Sequence, residues 1–142
     1  MVFAKWIIAV GGLVFLLLGA MHFRMTVADM KNPRKFAPAK DGLLEELQST
    51  RMRFRKDLKS FWDSYIGFHF SHSIGVIFYA CIVLYFALIR PDILSDYIIR
   101  VGIVVFGAAY VLLARWFWFI IPFLGALIGV SVIAIGMAML YP

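Results

Sequence analysis

The sequence predicts an all-α fold, a polytopic membrane protein in which four transmembrane helices form a bundle with an amphipathic cytoplasmic helix between spans 1 and 2. Three observations predict it. Apolar residues make up 63% of the 142-residue chain and charged residues 15%. A soluble domain of this size cannot hide so much apolar surface, because about half apolar is the ordinary composition. The apolar residues fall in four long runs, which makes lipid the expected solvent. Finally, the net charge of +6 is concentrated between Lys31 and Lys59, where nine Lys or Arg face four Asp or Glu. By length the chain is one domain, 1–142.

Span 1 is expected from about Phe3 to Thr26. Trp6 to Phe23 carries no formal charge, with Lys5 and Arg24 at its ends. Eighteen uncharged residues reach about 27 Å as helix, against a hydrocarbon core of about 30 Å. Lys5 before an apolar run is also the pattern of a secretory signal. Leu18 suits the minus-three position before Ala20 poorly, so the span is expected to be retained.

Residues 28–60 form the polar connection. Asn32-Pro33 and Ala37-Pro38 break helix, so 28–40 is expected to be loop. Asp41 is the expected N-cap of the helix that follows, with Glu45 and Glu46 in its first turns. Leu43, Leu47, Thr50, Phe54 and Leu58 recur at spacings of three and four, and so share one face. Arg51, Arg53, Arg55, Lys56 and Lys59 occupy much of the remainder. That pattern suits a helix lying on anionic headgroups, and equally a solvated helix packed under the bundle.

Span 2 is expected over Phe61–Ile89, ended by Arg90-Pro91. Its uncharged part, Ser64 to Ile89, is longer than the bilayer core and predicts tilt. Span 3 follows at about Asp96–Ala114, with Arg100 snorkelling one turn in. Span 4 follows at about Trp116–Tyr141, where Pro122 marks either the helix start or a kink. Gly125-xxx-Gly129 fits a close helix crossing, and Gly102, Gly107, Ala108 and Ala109 suggest the same for span 3. The basic connection is expected on the cytoplasmic side, with Arg115, so both termini face outward. Trp62, Tyr65, Trp116 and Trp118 would mark the inner interface, and Trp6, Tyr97 and Tyr141 the outer one.

Candidate chemistry centres on the histidines. His69 and His72 are three residues apart and share a helical face with Trp62, Tyr65 and Val76. If Arg24 and Asp63 mark one interface, His22, His69 and His72 lie about 3, 9 and 13 Å inside it. Three imidazoles suffice for a metal site with an open position, and two could hold a haem. The competing reading is hydrogen bonding to serines or carbonyls across helices, with Ser64, Ser71 and Ser73 as local partners. Metal sites in bundles usually add a carboxylate, and Asp29, Asp63 and Asp96 all lie near span ends. Ser71 or Ser73 with His72 lacks a third partner and an oxyanion feature, so serine catalysis is not expected. Arg24 and Asp63, at similar depth, would pair or snorkel separately, and with Arg115 could hold a lipid phosphate.

Gly19-Ala20-Met21-His22, then Gly67-Phe68-x-x-Ser71-His72-Ser73-x-Gly75 preceded by Trp62, then Phe117-Trp118-Phe119 before Pro122 resemble a family of small, uncharacterised bacterial four-span membrane proteins. The resemblance runs along nearly the whole chain. In that family the position of His69 is more often Asn, a good hydrogen-bond partner and a poor ligand for soft metals. The resemblance therefore implies that His22 and His72 are the important pair, and that the chain sits in a bacterial cytoplasmic-type (inner) membrane. It implies no activity.

Two functions from different classes follow. The first is a non-enzymatic accessory or scaffold subunit of a larger membrane complex, with lipid or pigment as the ligand it would hold. Its expected partners are membrane lipids, anionic headgroups at the basic loop 31–59, and other membrane subunits, with no nucleic acid. The alternative is a metal- or haem-dependent membrane enzyme or electron carrier using His22, His69 and His72. A transporter is least favoured, because spans 3 and 4 carry almost no polar groups in mid-membrane.

Overall fold

The computed structural model describes residues 2–53 and 60–140. The described residues form five α-helices: α1 (Val2–Lys31), α2 (Leu43–Ser49), α3 (Phe61–Leu88), α4 (Tyr97–Phe117) and α5 (Ile120–Leu140). A 3-10 turn, Pro91–Ser95, joins α3 to α4. α1, α3, α4 and α5 are long and apolar enough to cross a membrane, as expected for an all-α, multi-pass membrane protein.

The chain divides into two compact units, one of residues 1–19 and 76–142, the other of residues 20–75. The first unit is a four-helix packing of the first half of α1, the second half of α3, α4 and α5. Its core includes Ile8 and Phe15 from α1, Val83 from α3, Ile103 from α4 and Ile133 from α5. The rings of Phe15 and Tyr79 meet edge to face at 4.9 Å. The Tyr79 hydroxyl donates to the Ile103 carbonyl at 2.9 Å, which satisfies the one polar atom that this ring brings into the core. Leu94 in the 3-10 turn is fully buried and anchors the α3–α4 connection.

α5 approaches α1 through its glycines. A Cβ on Gly129 would lie 2.8 Å from the Phe15 ring, and one on Gly136 would lie 2.6 Å from Ile8 Cγ1. The expected Gly125-xxx-Gly129 crossing is therefore present, with Leu18 against Gly125, and it continues one heptad further. In α4 only part of the expected small-residue seam packs. Gly107 meets Tyr79 and Val130, whereas Gly102 has nothing within 4 Å.

Several boundaries differ from the sequence reading. α1 continues through Ala28 to Lys31 rather than giving way to loop at Ala28. The first true breaker is Pro33, and the Asn32 amide closes the helix on the Ala28 carbonyl at 2.9 Å. The charges at Arg24 and Asp29 mark polarity and not the helix end. α2 spans seven residues, far shorter than the periodicity suggests. Its N-cap is Gly42 at φ 77°, with no side-chain cap, and not Asp41. A left-handed cap of this kind favours glycine over any residue with a Cβ. The helix stops because Thr50 is extended and its carbonyl accepts from the Phe61 amide at 2.8 Å. Of the expected apolar face, Leu43 and Leu47 lie on α2. Phe54 and Leu58 lie outside the described residues, as do Arg55, Lys56 and Lys59, and Tyr141 of the expected outer aromatic belt.

α4 begins after Asp96, whose Oδ1 accepts from the Ile98 amide at 2.8 Å. It runs on to Phe117, so Trp116 lies in the last turn of this helix instead of opening the next. The turn is made by Trp118 and Phe119. Pro122 falls in the first turn of α5, where its missing N–H leaves no helical bond unmade, so it marks the start and not a kink.

Candidate functional site: a histidine pair in the 20–75 unit

The second unit contains the last turns of α1, the connection, α2 and the first half of α3. Its polar interior begins on α1. His22, Thr26 and Asp29 recur at spacings of four and three, and so line one face. Thr26 and Asp29 are almost completely buried. Thr26 donates to the His22 carbonyl at 2.9 Å, a bond within its own helix. Asp29 is satisfied from outside the helix. Its Oδ2 accepts from the backbone amides of Arg34 at 3.1 Å and Phe36 at 2.6 Å.

α3 brings the other two histidines. Its start is fixed by a reciprocal cap. The Asp63 amide donates to Ser60 Oγ at 3.1 Å, while the Ser60 amide and hydroxyl donate to Asp63 Oδ2 at 3.3 and 3.0 Å. Such a capping box sets where the helix begins and hence which face carries His69. Phe23 of α1 meets Phe70 of α3 edge to face at 5.4 Å.

These helices place His22 Nε2 2.9 Å from His69 Nδ1, a hydrogen bond between two rings. Aromatic rings surround the pair. Phe36 stacks on His69 with centroids 4.2 Å apart and planes 11° apart, and Tyr65 meets His69 edge-on at 4.4 Å. His72 stands perpendicular to His22 at 5.5 Å and near-parallel to Phe68 at 6.4 Å. All three histidines are half-buried.

The pairing constrains the chemistry. If His22 donates, His69 accepts through Nδ1 and carries its own proton on Nε2. If His69 donates, its Nε2 is left as an acceptor. That Nε2 is buried and has no hydrogen-bond partner among the described residues. The pair is thus able to hold one complementary polar atom at a site walled by rings.

The three histidines that the sequence singles out do converge, with the bond between His22 and His69. His22 and His72, the pair expected to matter most, meet here through ring contact. As a metal centre the arrangement fits poorly, since two of the candidate donor nitrogens face each other across a hydrogen bond. Among the described residues no group of three His, Cys, Asp or Glu is disposed to hold a metal ion.

The remaining candidates lie elsewhere. Ser71 is exposed and donates to the Phe68 carbonyl at 2.9 Å. Ser73 is buried and donates to the carbonyls of His69 and Phe70 at 2.9 and 3.0 Å. Both hydroxyls therefore bond to backbone carbonyls within α3. Arg24 is exposed, and Asp63 is committed to its cap, with no ion pair between the two among the described residues. Arg115 belongs to the first unit, exposed in the last turn of α4.

Sequence reasoning took Asp29 only as a charge near a span end and left out Phe36. The spacing of His22, Thr26 and Asp29 could have found the first, as a polar stripe on an otherwise apolar helix. No sequence signal places Phe36 against His69, because that contact depends on how the connection folds back. Comparison with protein-family models, curated proteins and solved structures finds no match.

Proposed function

We propose that this chain is a small multi-pass protein of a bacterial inner membrane, without catalysis of its own, that serves as an accessory or scaffold subunit of a larger membrane complex. In this reading the histidine pair holds the polar end of an otherwise apolar ligand, a lipid or a pigment. The basic connection lies on anionic headgroups at the cytoplasmic face, and both termini face outward.

The observation that carries the reading is His69 Nε2, buried and without a partner among the described residues, beside an already hydrogen-bonded ring. Leaving such an atom unmatched costs about 1–3 kcal/mol, so a ligand oxygen or N–H placed there would gain that much. The walls supplied by Phe36, Tyr65 and Phe68 suit an apolar body around that one polar contact. The large apolar side chains left exposed along the spans, among them Leu17, Phe78 and Ile128, suit lipid or the surfaces of neighbouring subunits.

The test is extraction and mass spectrometry of gently purified protein, together with its metal content. Wild type and Ser71→Ala should retain the same apolar molecule, and His69→Phe should lose it. Equal extracts from all three would refute ligand binding by the pair. A metal present in wild type and lost in His69→Phe would favour the metal- or haem-dependent alternative instead.

A further inference from the structure

We infer that Asp29 is a positioning residue for the histidine site. It fastens the segment 32–42 as a strap whose Phe36 ring closes one face of His69, and a ligand reaches His69 Nε2 when the strap lifts. This deepens the ligand-binding reading and rests on it.

Asp29 sits in an unfavourable place for helix stability. It occupies the last turn of α1, where the helix dipole repels a carboxylate, and it is 1% exposed. What compensates it is the returning chain, through the amides of Arg34 and Phe36. Hydrogen bonds to a charged acceptor are the strong kind. They hold the backbone of Phe36 where its ring stacks on His69 at 4.2 Å and lies 5.3 Å from His22.

Two other rings around His69 do not ride on the connection. Tyr65 and Phe68 stand on α3 with His69 itself, so they stay beside it when the connection moves. Phe36 alone among these rings stands on non-helical chain. Segments with few anchoring bonds open locally at the lowest cost. Since Nε2 is sealed in this structure, access requires some ring to leave, and Phe36 is the one whose release breaks two bonds to one carboxylate.

The test is acylation of histidine by diethyl pyrocarbonate on the full-length protein in detergent, with the modified residue located by peptide mapping. Asp29→Asn and Phe36→Ala should both raise the rate at His69 about tenfold, the change in opening expected from loss of one charge-assisted hydrogen bond or of its covering ring. Asp41→Asn should leave it unchanged, and helicity and melting temperature of Phe36→Ala should match wild type. An unchanged His69 rate in Phe36→Ala overturns the cover, because that variant keeps the carboxylate and removes only the ring, and an unchanged rate in Asp29→Asn overturns the positioning role of the carboxylate. Acylation needs no bound ligand. The strap can therefore fail while ligand retention survives, and the reverse outcome is equally readable.

Discussion

His22 Nε2 and His69 Nδ1 lie 2.9 Å apart although 47 residues separate them in the chain. The bond ties the end of one long apolar helix to the start of another. Replacing one ring by Phe removes a hydrogen bond and leaves its partner a buried polar atom short.

The energetics of that pair can be measured by a double-mutant cycle. His22→Phe and His69→Phe should each lower unfolding free energy by about 1–3 kcal/mol. The double variant should lose less than the sum, with a coupling of about 0.5–3 kcal/mol. Reversible unfolding in mixed micelles provides the measurement. Strict additivity would mean that the two rings do not share a proton.

The glycine contacts predict opposite outcomes on two helices. A side chain at Gly136 would meet Ile8 Cγ1 at 2.6 Å, the Ile8 amide nitrogen at 3.0 Å and the Ala4 carbonyl at 3.1 Å. Two of these are backbone atoms, which cannot step aside without moving α1. Gly136→Val should therefore cost at least about 1–3 kcal/mol. Gly102 has open space around it, so Gly102→Ala should be neutral or should stabilise by about 0.5–1 kcal/mol. Thermal unfolding of the two variants distinguishes them.

At the start of α3, Ser60 and Asp63 act as one unit. Ser60→Ala should cost about 0.5–2 kcal/mol and fray the first turn. Asp63→Ala should have a similar effect, and Arg24→Gln should leave that turn intact. Amide exchange at the first turn of α3 reads all three. Fraying in Arg24→Gln would mean that Asp63 works through an ion pair after all.

Between α3 and α4, Arg90 and Asp92 form an exposed ion pair at 2.7 Å. The hydrogen bond from Arg90, and then its charge, hold the Asp92 carboxyl below the usual carboxylate range. The group's contribution is present above its unfolded pKa and is lost as pH falls through the lower folded value. Full exposure makes that contribution small. A titration of Asp92 by NMR should show the lowered value in wild type and its return to the ordinary one in Arg90→Gln.

Much of the architecture was legible from the chain alone, because the membrane imposes a length and an apolarity that few other folds share. α3 illustrates this. Its expected start at Phe61 and the break at Arg90-Pro91 hold in the structure within one residue of the helix end. Local chemistry suffices there, with a cap at one end, a proline at the other and an uncharged run between. The same logic leaves Pro122 as a helix start or a kink, which the structure decides for the start, and puts Gly129 at a helix crossing.

The connection between α1 and α3 was the part that local rules misjudged. The apolar spacing from Leu43 onward continues as a helical pattern, yet α2 ends at Ser49. The carbonyl of Thr50 finds a better partner in the amide of Phe61, eleven residues away, than in continued helix. Propensity carries no information about such a return. The histidines show the same division. Spacing puts His69 and His72 on one face and depth puts His22 near them, but only folding turns His22 toward His69. Asp29 reads as a charge near a span end. Tertiary structure makes it the acceptor for Phe36, because a carboxylate buried against a helix C-terminus must find donors on chain that folds back to it.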